Sequence, residues 1–338
     1  MKEGMTAQEK CPVILLTGFL GSGKTSLLNR LLKREEFANT LVIVNEFGDI
    51  GLDHLLVTES SDTILELSNG CLCCSVRGEL VDTLLELDTS LFRQVVIETT
   101  GIADPLPVFQ SIAANTELAS RYRPAMVMTV VDGVRGIETL DAHEEARFQV
   151  TLADLVYISK TDLPENRHEA VRKKVSQINE HLTVLADPDR IPVCFLGERT
   201  IPSGKPHASH DHAQRYCSVR LETQTLLDIP QTAGLLHHLT STIGEGLLRV
   251  KGFVRVREHP DKPLVVQVSG SMVHDFSILD YWPDGHEHTT LIAIMANGLQ
   301  IPVQTTFDAF CGHLAADTPD RQALTENPLS VPGHDFRR

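Results

Sequence analysis

The chain has 338 residues, more than one small core needs, so a domain of roughly 150 to 200 residues followed by a smaller one is expected. With 42% hydrophobic and 22% charged residues its composition is that of an ordinary globular protein, which excludes disorder or a fibrous repeat for the bulk of it. A formal net charge of −15, from 45 acidic against 30 basic residues, argues against a broad nucleic-acid footprint and demands local positive charge wherever a phosphate binds.

No apolar stretch approaches the roughly 18 residues that span a bilayer, and residues 1–10 are polar with no signal core behind them, so neither a membrane nor export is expected. Seven cysteines, three of them within four positions, do not resemble a secreted disulfide framework. In a reducing compartment such a cluster binds metal or does redox work, and the cytoplasm is the expected location.

The first predicted strand covers residues 13–17 and runs into glycines; leucines at helical spacing follow over 25–33, so the segment reads strand, glycine loop, helix. Further apolar runs at 41–44, 95–97, 126–131 and 155–158 predict strands, separated by helical stretches such as 80–87 and 142–152. Strands alternating with helices imply an α/β fold with a mostly parallel sheet covered on both faces. From 197 to 215 the texture changes to Gly, Pro, Ser and histidines with little periodicity. Strand-like runs then appear at 216–221, 253–256, 264–268 and 291–295, with helical segments near 232–243 and 305–314. The expected organisation is a nucleotide-binding domain over 1–200, a linker over 201–215, a smaller α+β domain over 216–318, and a polar tail over 319–338.

Gly18-Phe19-Leu20-Gly21-Ser22-Gly23-Lys24-Thr25 fits the G-x-x-x-x-G-K-[ST] phosphate loop and stands where that loop must stand, after a strand and at a helix start. Gly18, Gly21 and Gly23 let successive N–H groups, with those of Ser22 and of Ser26 in the helix turn, converge on phosphate, and the helix N-terminus adds positive potential. Lys24 supplies a point charge at the β and γ phosphates, and the Thr25 hydroxyl is a Mg²⁺ ligand. Val95 to Gly101 reads as a strand ending in Glu98, placed to hold or orient the Mg²⁺ shell or the attacking water, with the Gly101 N–H near the γ-phosphate. Ser159-Lys160-Thr161-Asp162 follows another strand and matches the [NST]-K-x-D pattern of guanine pockets. Because a carboxylate only accepts, Asp162 pairs with the N1–H and exocyclic amine of guanine and would be left unpaired by adenine, which favours GTP over ATP. The Lys160 stem lies along the base plane.

Between the phosphate loop and Glu98 stands Glu66-Leu67-Ser68-Asn69-Gly70-Cys71-Leu72-Cys73-Cys74. Thiolates select zinc, copper(I) or related ions, and in an extended stretch Cys71 and Cys73 project to one side while Cys74 points away unless the backbone turns. Redox chemistry and inert packing are the other readings of this cluster.

Taken in order, GFLGSGKT at 18–25, NEFGDIGLD at 45–53, ELSNGCLCC at 66–74, ETTG at 98–101 and SKTD at 159–162 resemble the CobW family of metal-associated GTPases, relatives of the urease and hydrogenase nickel-insertion GTPases. The resemblance implies a P-loop GTPase that uses GTP and Mg²⁺, binds Zn²⁺ or Co²⁺ at the CxCC motif, and passes it to a client metalloprotein or cofactor-biosynthesis enzyme. It further implies Cys71, Cys73 and Cys74 as metal ligands, with Glu46 and Asp49 of a mobile switch-like segment as Mg²⁺ or second-ligand carboxylates, Asp49 also serving the catalytic set. A nucleotide-dependent dimer fits the same pattern. Some family members carry a long histidine-rich tract between the domains; here only His207, His210 and His212 stand in that place, which weakens a metal-storage role. Two rival readings remain: an ATPase or kinase with a structural cysteine cluster, and a non-enzymatic metal-binding adaptor. Cys11, Cys194, Cys217 and Cys311 adjoin apolar runs and are expected to be buried.

Overall fold

The computed structural model describes residues 10–44, 64–66, 74–192, 215–282 and 287–312. The first half contains β1 (Cys11–Thr17), α1 (Lys24–Leu31), β2 (Thr40–Val44), β3 (Ile64–Glu66), α2 (Cys74–Glu86), β4 (Gln94–Glu98), α3 (Leu106–Ala114) and α4 (Thr116–Arg121). It continues with β5 (Tyr122–Asp132), α5 (Gly136–Ala142), α6 (Glu144–Leu152), β6 (Leu155–Ser159), α7 (His168–Ile178) and β7 (Thr183–Leu185). The second half contains β8 (Tyr216–Thr223), α8 (Ile229–Ile243), β9 (Leu247–Val256), β10 (His259–Ser269), β11 (Met272–Val273), β12 (Ser277–Ile278), β13 (Thr289–Ala296) and α9 (Gln300–Phe310).

Among the described residues the first seven strands form one sheet in the order β3-β2-β4-β1-β5-β6-β7, and every pairing in it is parallel. Apolar residues occupy both sides of each central strand, as a sheet covered on both faces requires. Val13 and Leu15 of β1 join Leu80 and Leu84 of α2 and Val108, Phe109 and Ile112 of α3 in one core. Ile14 and Leu16 turn the other way and meet Leu27, Leu28 and Leu31 of α1. The remaining strands form an antiparallel sheet, with β12 pairing only to β10. Leu235, Leu236 and Leu239 of α8 and Val303 and Phe307 of α9 cover it. An Asp228–Gln231 capping box closes the N-terminus of α8. The expected α/β fold with a smaller α+β domain behind it is thus what the chain adopts.

The two sheets are joined by apolar packing of Leu152 against Leu248 and Ile294, with Leu106, Phe148 and Tyr216 around them, and by a buried cluster of charges. Asp154 Oδ2 accepts from Arg249 Nη2 at 2.7 Å and from the Val127 N–H at 2.8 Å, and Oδ1 lies 3.3 Å from Lys251 Nζ.

The helical stretch expected over 142–152 is present as α6, with α5 ahead of it. His143, at φ −118° and ψ 121°, is extended and separates α5 from α6, and its ring stacks on Phe19 with centroids 4.3 Å apart. Cys11 and Cys311 are buried and Cys217 is half-buried. Burial pushes all three thiols up to about 11, so they stay protonated at neutral pH and are poor metal ligands. Cys194 and the 201–215 linker, apart from Arg215, lie outside the described residues.

Candidate nucleotide site at the sheet edge

The C-terminal ends of the parallel strands set the geometry. Glu66 of β3 pairs with Val44 of β2, Val44 with Glu98 of β4, and Glu98 with Leu16 of β1. The ends of β1, β4, β2 and β3 therefore line one edge of the sheet, where ligands bind in open α/β sheets.

After Thr17 the chain turns through Gly18, Gly21 and Gly23 at φ +143°, +70° and +94°, backbone that glycine adopts without strain. A Cβ on Gly18 would stand 2.4 Å from the Val130 carbonyl oxygen, so side chains are excluded there by contact as well as by conformation. The Ser22 N–H donates to Phe19 O at 3.1 Å, which closes the loop, and α1 starts at Lys24. Lys24 Nζ donates to Gly18 O at 3.0 Å, curling over the loop that its charge would share with phosphate. Ser26 is exposed in the first turn of α1.

Thr25 Oγ1 donates to Glu98 Oε1 at 2.9 Å, and Glu98 is only 5% exposed. The next turn presses on the loop: a Cβ at Gly101 would fall 2.6 Å from both the backbone N and Cδ2 of Leu20. No residue larger than glycine fits this approach unless the phosphate loop moves.

The third part of the site is tied to the first. Ser159 Oγ donates to Ser22 O at 2.5 Å, and Lys160 Nζ donates to Gly21 O at 2.9 Å. Lys160 has φ +54°, an unusual value for a residue with a side chain, and its ammonium also meets Asp132 Oδ2 at 2.5 Å. Asp132 Oδ1 accepts from the Val134 and Arg135 N–H groups at 2.7 and 3.0 Å. Burial pushes the Asp132 carboxyl up, but the Lys160 hydrogen bond, the two backbone N–H groups and the Lys160 charge outweigh it and hold the group below the usual carboxylate range. Asp162 is exposed just beyond Lys160, in a turn whose Thr161 and Leu163 carbonyls accept from Asn166 Nδ2 at 3.0 and 2.7 Å.

This arrangement fits a nucleoside triphosphate with its magnesium ion. The Thr25 and Glu98 oxygens form the hard donor pair that Mg²⁺ takes, the three glycines give the loop the positive-φ turns that a phosphate cradle uses, and the buried Ser22 Oγ has no hydrogen-bond partner among the described residues. Gly18, Gly21, Ser22, Gly23, Lys24, Thr25, Glu98, Gly101 and Lys160 come together as one cluster. Glu46, Asp49, Cys71 and Cys73 lie outside the described residues, and Cys74 is placed only as the first residue of α2. Among the described residues no group of three His, Cys, Asp or Glu side chains is arranged to hold a metal ion. Asp132 belongs to none of the sequence motifs, although it closes an apolar strand as Glu98 does.

Fold and site together define a P-loop nucleotide-binding protein with an appended antiparallel domain. Two family models account for it: residues 12–186 match the CobW/HypB/UreG nucleotide-binding domain, and residues 216–310 match the cobalamin synthesis protein cobW C-terminal domain. The chain belongs to the CobW/HypB/UreG family. It is 32% identical over 316 residues to the zinc chaperone YjiA of Escherichia coli (strain K12), covering 89% of this chain and 98% of that protein. It is also 35% identical over 179 residues to the zinc-regulated GTPase metalloprotein activator 1 of Schizosaccharomyces pombe, covering 50% of this chain and 43% of that one. The crystal structure of the Zn(II)-bound YjiA GTPase from E. coli superimposes with a TM-score of 0.63 at 24% identity, over 90% of this chain and 99% of that one; this similarity speaks for the fold.

Proposed function

We propose that this chain is a GTP-hydrolysing metallochaperone that carries zinc, or cobalt, on the thiolates of its CxCC motif and hands it to a client metalloprotein. The observation that carries the reading is the shared sheet edge. Glu98, in contact with Thr25, sits two strands from Glu66, about 10 Å at the usual strand spacing, and the chain that leaves Glu66 bears Cys71, Cys73 and Cys74 a few residues later. Chaperone and activator relatives support the zinc and client parts. No helix among the described residues is long and apolar enough to cross a membrane, and the reading places the protein in the cytoplasm.

In this account the loop amides and Lys24 hold the phosphates. The Thr25 hydroxyl would hold Mg²⁺, and the ion would supply charge neutralisation on the phosphates. Glu98 orients the ligand shell or the attacking water, and the Gly101 N–H meets the γ-phosphate. Lys160, pinned between Gly21 O and Asp132, presents its stem to the base, and Asp162 selects guanine by accepting from its N1–H and amine. Glu46 and Asp49 belong to the segment between β2 and β3, which responds to the γ-phosphate and completes or strains the metal site. Zinc is cargo here, released to the client as hydrolysis lifts that constraint.

Cys71→Ala and Cys73→Ala test the assignment in a direct titration of zinc. Each variant is expected to lose tight zinc binding while binding GTP as the unaltered protein does. Joint loss of metal and nucleotide binding would mark the zinc as structural, and unchanged zinc affinity would remove the motif from the account.

A further inference from the structure

Gln149 lies in α6, outside every motif of the nucleotide site, yet it reaches the turn that follows Glu98. It is 1% exposed, and its Nε2 donates to two carbonyls of that turn, Gly101 O at 3.1 Å and Ala103 O at 3.2 Å. The turn is closed internally by Ala103 N–H to Thr100 O at 3.1 Å. On its other side Gly101 abuts Leu20 of the phosphate loop so closely that a Cβ has no room. One side-chain amide thus holds the turn against the loop.

The helix that carries the amide has little freedom. Thr129 Oγ1 of β5 donates to Gln149 O at 2.9 Å, Asn179 Nδ2 donates to Thr151 O at 3.1 Å, and Arg249 Nη1 of the second domain donates to Leu152 O at 2.8 Å. Four consecutive residues of α6 therefore carry three anchors, one to the parallel sheet, one to the residue that ends α7 and one to the second domain. A donor fixed in this way is preorganised, which is what makes a distant side chain effective in holding a reacting geometry.

We propose that Gln149 is a positioning residue for the hydrolytic step: it fixes the Thr100–Ala103 turn so that the Gly101 N–H is aimed at the γ-phosphate, and it has no part in holding the β-phosphate. This rests on the reading of the site as a GTPase given above.

The test uses the full-length chain with Gln149→Leu, which removes the donors at similar volume, and Gln149→Glu, which replaces the amide by a group that donates only when protonated. For Gln149→Leu, kcat with GTP is expected to fall about tenfold or more, while GDP affinity stays within about twofold, since the Gln149 amide bonds the turn and not the loop of residues 18–25 itself. Gln149→Glu is expected to match Gln149→Leu at pH 8 and to recover activity relative to the unaltered protein as the pH falls towards 6, because a buried carboxyl opposite carbonyls has a raised pKa and regains one O–H donor. A merely structural role would not produce that recovery. Full kcat in Gln149→Leu, equal losses of GDP and GTP-analogue affinity, or a flat pH ratio for Gln149→Glu would each overturn the proposal. An unaltered protein that fails to hydrolyse GTP would instead sink the GTPase reading beneath it. If Gln149→Leu does not fold, the pH ratio of Gln149→Glu decides alone.

Discussion

Replacing Asp154 by Asn tests how the two domains are held together. The carboxylate is 7% exposed and its partners Arg249 and Lys251 are 4% and 15% exposed, so two cations from the second sheet depend on one anion from the first. Asparagine keeps the shape and the contact with the Val127 N–H but leaves both cations without their counter-charge. Breaking a buried pair from one side costs about 3–5 kcal/mol. At roughly 2–4 °C per kcal/mol the melting temperature should drop by about 10 °C. The pair itself need not be a net gain: Asp154→Leu combined with Arg249→Met and Lys251→Met should recover most of the loss, because desolvation of the charges disappears with them. The exposed pair Arg215–Glu144, at 69% and 54% exposure, is a control expected to show no measurable change on Glu144→Gln. Acid should act in the same direction as Asp154→Asn. Burial pushes the Asp154 carboxyl up, yet the Arg249 and Lys251 charges, the Val127 N–H and the Arg249 hydrogen bond hold it below its ordinary 3.8. Its contribution is therefore complete above the unfolded pKa and is lost as the pH falls through the depressed folded value. Thermal and denaturant melts of these variants at pH 7 and pH 3 provide the measurement. A loss under about 1 kcal/mol for Asp154→Asn at pH 7 would refute the reasoning.

Two further outcomes follow from other sites. Asp162→Asn should reduce the preference for GTP over ATP by about 10- to 100-fold in a competition assay, because an amide no longer offers two acceptors to guanine; equal competition by ATP against the unaltered protein would refute the guanine pocket. His274 is pushed down to about 4 by burial first, then by the Arg249 charge, with Asp275 opposing and Lys10 adding to it, and its Nε2 lies 3.0 Å from Ser269 Oγ. Between pH 6.5 and 4 the unfolded chain takes up a proton that the folded one refuses, so stability should decline over that window by on the order of 2–3 kcal/mol. His274→Gln should flatten the decline, and an unchanged pH profile would contradict the placement of the ring.

The parallel sheet was legible because each central strand is an uninterrupted apolar run, a pattern that burial on both faces imposes. β3 was not, since three residues, Ile64 to Glu66, carry no usable period. Nor was the full length of β9: Lys251 and Gly252 interrupt its pattern, and Gly252 is there because a Cβ would meet the Thr290 carbonyl oxygen at 2.1 Å, a contact made by a distant strand. The break at His143 has a similar origin. Its partner, the Phe19 ring, is more than a hundred residues away. In the site, the loop glycines, Lys24, Thr25, Glu98 and Lys160 could be read off because phosphate and base recognition require those residue types at those spacings. Asp132 closes an apolar strand as Glu98 does and carries the same signal; Gln149 carries none, because it acts through the Gly101 and Ala103 carbonyls. Such contacts leave no trace in residue spacing.

The central claim is that nucleotide and metal share one responsive apparatus. Its most direct test is the zinc dissociation constant of the full chain, measured by competition with a chromophoric chelator, with GDP and with a non-hydrolysable GTP analogue bound. The two constants are expected to differ by about 5- to 150-fold, with the same factor appearing in the analogue's affinity when zinc is added. Identical zinc affinities in the two nucleotide states would contradict it.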